Sequence, residues 1–152
     1  MSKHINPSFQ FDSPNKSPGF LLWQLHTIWN RTINQILKPH GITHVQFVVL
    51  ANIHWSSHSK EKVTQIQISK LAKIDPVVVS SVLKILEKKK LIKRKHAKDT
   101  RYKVVSLTQQ GLQLLDPTLK SIESFDQSFF NHVPNLSELI DSMQKLIRKP
   151  CI

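Results

Sequence analysis

Residues 64–111 read TQIQISKLAKIDPVVVSSVLKILEKKKLIKRKHAKDTRYKVVSLTQQG. Thr64 followed three residues later by Gln67 is a capping-box arrangement, in which the threonine oxygen accepts from a first-turn amide and the glutamine side chain reaches back. Ile68, Leu71 and Ala72 continue a short amphipathic helix at helical spacing. Asp75 supplies a second cap, and Pro76 takes a first-turn position where its missing N–H costs nothing, so another helix runs through Leu86 to about Lys90. Only Lys73 and Ile74 separate the two. That is helix-turn-helix spacing, in which the first helix braces the second for entry into a DNA major groove. Beyond Leu91, IKRKH and YKVVSL flank Ala97, Lys98, Asp99, Thr100 and Arg101, the pattern of two strands joined by a basic loop.

The elements on either side are helical. Ser17 and Pro18 form a cap and first-turn pair ahead of Phe20, Leu21, Leu25, Ile28, Trp29, Ile33, Ile36 and Leu37, and Pro39 with Gly41 ends that helix. Thr43 and Gln46 make another capping box, opening a helix that reaches about Trp55. Thr108 to Gly111 opens a fifth helix, in which Pro117 predicts a kink or restart with Asp116 as the new cap. After Pro134 a last amphipathic helix carries Leu136, Leu139, Ile140, Met143, Leu146 and Ile147 on one stripe. The fold class expected is mainly α with a small β wing, a winged helix-turn-helix flanked by dimerisation helices. Its segments are a mobile N-terminal arm (1–16), a dimerisation helix (17–40), the DNA-binding domain (41–111) and C-terminal dimerisation helices (112–152).

Charge sharpens the functional reading. The 152 residues carry 22 Lys and Arg against 10 Asp and Glu, a formal net charge of +12. Residues 60–103 hold 14 of those cations and four of the acids, so nearly all the excess lies in the winged segment. Such concentration fits a polyanion-binding surface, because cations gain affinity by releasing counterions condensed on nucleic-acid phosphates. A solvated face kept charged for solubility is the bland alternative. Cys151 is the only cysteine, which excludes intrachain disulfides and fits a reducing, cytoplasmic setting. The longest apolar run, residues 47–51, is far short of a bilayer span, and no membrane partner is expected.

Chemistry beyond binding finds little support. His54 with His58, and His40 with His44, have four-residue spacing, but both pairs straddle helix ends without an accompanying carboxylate cluster, so no metal is assigned. Cys151 has only Arg148 and Lys149 near it as candidates for activating a thiol. Nothing matches a nucleophile elbow, P-loop, dinucleotide fingerprint or catalytic carboxylate pair, so neither an enzyme nor a cofactor is expected.

The stretch GITHVQFVVLANI (41–53) and the segment quoted above resemble the MarR family of bacterial transcriptional regulators. The resemblance rests on Thr43, residues 46–50, Leu71, Ala72, Leu86, Glu87, Asp99 with Arg101, and Leu107, Thr108 and Gly111, in that order and spacing. It implies a homodimer whose first, fifth and sixth helices intertwine and whose two winged domains read a pseudopalindrome in double-stranded DNA. Phe20, Leu21, Leu25, Trp29, Leu139, Ile140, Met143, Leu146 and Ile147 are the dimerisation candidates, against the alternative that they pack only within their own chain.

In the fourth helix Val79, Val82, Leu83 and Leu86 seat the helix on its domain, leaving Val78, Ser80, Ser81, Lys84 and Lys88 to face DNA. Ser80 and Ser81 stand where family members commonly carry Thr and Arg, and Val77 and Val78 make the helix start apolar. Direct base reading is therefore expected to be weak, with thymine methyl contact and serine hydroxyls in place of an arginine on guanine. The resemblance gives Asp99 the role of orienting Arg101 for the minor groove, with Arg94, Lys98 and Lys103 near phosphates. Lys90 stands where the family usually has Gly, so a different helix ending is expected. The function implied is a homodimeric repressor released by a small aromatic or apolar effector. The alternative is a winged-helix interaction module that has lost operator readout.

Overall fold

The computed structural model describes residues 8, 10–59, 62–98 and 101–148. Six helices and one hairpin follow in order: α1 (Pro18–Leu37), α2 (His44–Ser57), α3 (Gln65–Ala72), α4 (Pro76–Lys88), β1 (Ile92–His96), β2 (Lys103–Leu107), α5 (Gln109–Phe130) and α6 (Leu136–Arg148). The fold is mainly helical with a two-stranded antiparallel wing, as the sequence predicts.

Local chemistry starts each helix of the winged domain. Thr43 and Thr64 both close full capping boxes, with Gln46 and Gln67 accepting from the cap backbone at 3.3 and 2.9 Å. Asp75 Oδ1 accepts from the Val77 amide at 2.7 Å, and Thr108 Oγ1 from the Gly111 amide at 3.0 Å. Each satisfies an amide that the helix itself leaves without a partner.

One core joins these elements. Ile33 and Leu37 of α1, Leu50 and Ile53 of α2, Ile68 of α3, Leu83 and Leu86 of α4 and Leu115 of α5 are fully buried together. The wing is fastened to it by Ile92 and Val105, which point inward, while Lys93, Lys95, His96 and Lys103 point out. Ile92 pairs with Leu107 and His96 with Lys103. Val63, just ahead of α3, accepts from the Val105 amide at 2.8 Å, so β2 is paired on both edges at its centre.

Two expectations change. α5 runs unbroken through Pro117, and Asp116 pairs with Lys120 at 2.8 Å instead of capping a new helix. Proline removes one helical hydrogen bond, but Leu115, Thr118 and Ile122 on either side of it are buried in the same core, which holds both halves in one helix. Lys90 takes the left-handed conformation after all, at φ 60°, and the Leu91 amide donates to the Leu86 carbonyl at 3.0 Å while Lys90 donates to Glu87 at 2.9 Å. This is the Schellman ending that glycine usually serves. Within the arm assigned to residues 1–16, Pro14–Lys16 forms a turn of 3-10 helix, closed by the Lys16 amide on the Ser13 carbonyl at 3.0 Å.

Candidate nucleic-acid interface

α4 lays its buried stripe of Val79, Val82, Leu83 and Leu86 on the core and presents the opposite face to solvent. Val78, Ser81, Lys84 and Lys88 are exposed there, and Ser80 is half-buried at the margin. Val77 and Ile85 share that face, which sequence reading left out of the site. Their spacing from Ser81, four residues each way, was the available signal. The Ser81 hydroxyl donates to the Val77 carbonyl at 3.1 Å.

The wing stands beside α4. Arg94 projects back onto the helix: its Nε donates to Glu87 Oε2 at 2.9 Å and its Nη2 reaches the same oxygen. The guanidinium holds the Glu87 carboxyl below the ordinary range, chiefly through this hydrogen bond, with Lys103 adding a smaller push the same way. Arg94, a phosphate candidate from sequence, is thus a strut between wing and helix. Lys98, Arg101 and Lys103 are exposed, as is Tyr102, whose carbonyl accepts from the Ala97 amide at 3.1 Å. Asp99, expected to orient Arg101, lies outside the described residues. Between wing and α3 runs a groove of about 400 Å³, with Arg94, His96, Arg101 and Lys103 along it.

The helices away from the wing carry the dimerisation candidates. Phe20, Leu21 and Leu25 are exposed on α1 beside Leu22 and Trp23, each of which is 67% exposed. On α6, Ile140, Met143, Leu146 and Ile147 are exposed, Leu139 is half-buried, and no residue is buried. Trp29 departs from this group. Its indole donates to Asp126 at 2.7 Å, joining α1 to α5, and its ring meets His44 edge-on at 5.1 Å. His44 Nδ1 lies 2.7 Å from Asn30 Oδ1. Burial pushes this imidazole below its ordinary pKa, His26 adds to the shift, and Asp126 opposes it.

A second cavity, of about 550 Å³, opens between α2 and α5 against Ala51, Asn52, Trp55 and Leu119. His54 and His58 border it and pack edge to face at 4.9 Å, and His58 Nδ1 lies 3.0 Å from the His54 carbonyl. No group of three or more metal-ligating side chains occurs among the described residues, and Cys151 lies outside them.

Residues 39–125 match the ArnR1-like winged-helix domain family. The HTH-type transcriptional regulator YdcH of Bacillus subtilis (strain 168) is 35% identical over 140 residues, covering 91% of this chain and 95% of its own. The structure of the S. aureus MepR–DNA complex superposes with a TM-score of 0.80 at 21% identity, over 89% of this chain and 97% of that one. CouR from Rhodococcus jostii RHA1, bound to p-coumaroyl-CoA, superposes at 0.78 with 20% identity, over 93% and 99%. With its matched domain, its relatives and a basic wing set beside an exposed helix, the chain belongs to the ArnR1-like winged-helix, HTH-type transcriptional regulators, and it shares the fold of a MarR-family regulator from Rhodococcus sp. RHA1 (TM-score 0.78, 20% identity, over 93% of this chain and 100% of that one).

Proposed function

We propose that the protein is a cytoplasmic homodimeric repressor that binds a pseudopalindromic operator and is released by a small aromatic or apolar effector. The observation that carries this reading is the pair of apolar faces on α1 and α6 that stay exposed among the described residues. Leu22, Trp23, Leu25, Leu146 and Ile147 are each more than half exposed on helices that lie away from the wing. A second copy would bury them, and a two-fold dimer sets two winged domains side by side. Two such domains on one duplex would read inverted half-sites.

In this reading α4 enters the major groove, with Val78, Ser80, Ser81, Lys84 and Lys88 toward bases and backbone. Arg101 enters the adjoining minor groove, and Lys98 and Lys103 contact phosphates. Arg94 acts through Glu87, fixing the angle of the wing. The segment division follows the same logic, with residues 17–40 and 112–152 serving dimerisation and residues 41–111 serving DNA. The cavity between α2 and α5 suits the effector, because its apolar walls sit where the dimerisation and DNA-binding parts of the chain meet. The aromatic acyl ligand of CouR supports an effector of that kind.

The apolar start of α4 favours one second reading, a winged-helix module that docks protein instead of operator. Selection from random duplexes with the purified protein separates the two. Enrichment of one motif in inverted repeat is the expected outcome; no enrichment favours the protein-docking module.

A further inference from the structure

We infer that Val77 and Val78 read thymine methyl groups, so that each operator half-site carries thymines beneath the first turn of α4. The inference rests on the reading of α4 as the major-groove helix. Val77 is 73% and Val78 44% exposed at the end of the helix that reaches the bases in such docking.

Three polar groups around them have partners within the chain. Asp75 accepts from the Val77 amide, Gln65 donates its side-chain amide to the Pro76 carbonyl at 3.1 Å, and the Ser81 hydroxyl turns back to the Val77 carbonyl. The first side-chain cation on this face is Lys84, two turns in. Lys84 and Lys88 supply the charge that complements the backbone, and the tip of the helix supplies an apolar surface.

Base edges in the major groove present nitrogen and oxygen atoms with one apolar exception, the C5-methyl of thymine. Set against guanine O6 and N7 or the cytosine amine, Val77 and Val78 would strip water from polar atoms and return no hydrogen bond. Set against a thymine methyl, they remove apolar surface from both partners. The arrangement also separates two preferences for A·T pairs. Arg101 answers to minor-groove shape, whereas the valines answer to a group found only in the major groove.

Uracil in place of thymine deletes that methyl and leaves pairing and the minor-groove edge unchanged. The test takes the selected operator with its half-site thymines replaced by uracil, and measures anisotropy with the full-length protein and with the Val77→Ala, Val78→Ala double variant. Both valines are exposed, and circular dichroism verifies that the variant folds. The wild type is expected to bind the uracil duplex about fourfold more weakly for each methyl group removed from beneath the valines, and the variant is expected to bind thymine and uracil duplexes alike. Equal wild-type affinity for both duplexes overturns the inference and leaves operator binding intact. A uracil penalty that persists in the variant overturns it as well, by placing the methyl recognition elsewhere. If no duplex is enriched in the selection, the proposed function fails first and the inference with it.

Discussion

Within the basic run of residues 88–90, three lysines have three different fates. Lys88 is exposed on α4, Lys89 donates to the Gly41 carbonyl at 2.6 Å and to Gln46 Oε1 at 3.3 Å, and Lys90 makes the left-handed turn. The Lys89 ammonium is held by these oxygens, so the +12 of the chain overstates the charge facing DNA. In the proposed docking the exposed guanidinium of Arg101 outweighs any one of these lysines, since a narrow A·T-rich minor groove concentrates negative potential. Arg101→Ala is expected to cost about 1 to 3 kcal/mol of binding per site, mainly on duplexes with A·T-rich flanks. Anisotropy on operators with A·T or G·C flanks checks this, and equal losses on both would reduce Arg101 to a phosphate contact. Lys90→Gly should act on stability instead. Relief of the left-handed backbone outweighs the added freedom of the unfolded chain, for a net gain of about 0.5 to 1 kcal/mol in chemical denaturation. A loss would show that the Lys90 side chain holds the turn.

At the scale of elements, backbone carbonyls at the end of α4 anchor the start of α5, beside the Arg94–Glu87 strut between wing and helix. Thr108 Oγ1 donates to the Lys90 carbonyl at 2.7 Å and the Thr108 amide to the Leu91 carbonyl at 3.0 Å, which draws the start of α5 against the end of α4. A Cβ on Gly111 would lie 2.1 Å from that Leu91 oxygen. Gly111→Ala must push α5 off the turn between α4 and β1, at about 1 to 3 kcal/mol, and a denaturation midpoint unchanged from wild type would contradict this packing. The pattern Leu107, Thr108, Gly111 was legible in the sequence, and this close approach of backbones is its physical reason. Caps were legible too, because Thr64 and Gln67 lie within one turn of each other. The Arg94–Glu87 strut was not, since its partners meet only after the chain turns from α4 into β1. Trp29 and Asp126 are 97 residues apart, and no periodicity reports such a contact. Pro117 misled for the same reason: proline acts locally, and burial on both sides of it is tertiary.

Across the whole molecule, α1, α2 and α5 meet at His44, Trp29 and Asp126, between the apolar outer helices and the winged domain. Burial lowers the His44 pKa below 6.5, so the folded state binds its proton less readily than the unfolded chain does. The associated stability is fully present above pH 6.5 and declines as pH falls through the depressed folded value. Thermal unfolding should therefore show a larger loss on acidification for the wild type than for His44→Gln. Identical pH profiles would remove His44 from the joint's energetics. The outer helices themselves were readable as apolar stripes, but their partner was not, because surface left for a second copy and surface buried within one chain obey the same spacing. Sedimentation of the protein at micromolar concentration, alone and with its selected duplex, tests most directly whether two copies clasp through α1 and α6. A free species of twice the chain's mass, binding as two chains per full operator, is the expected result; a monomer that binds one chain per half-site would contradict it.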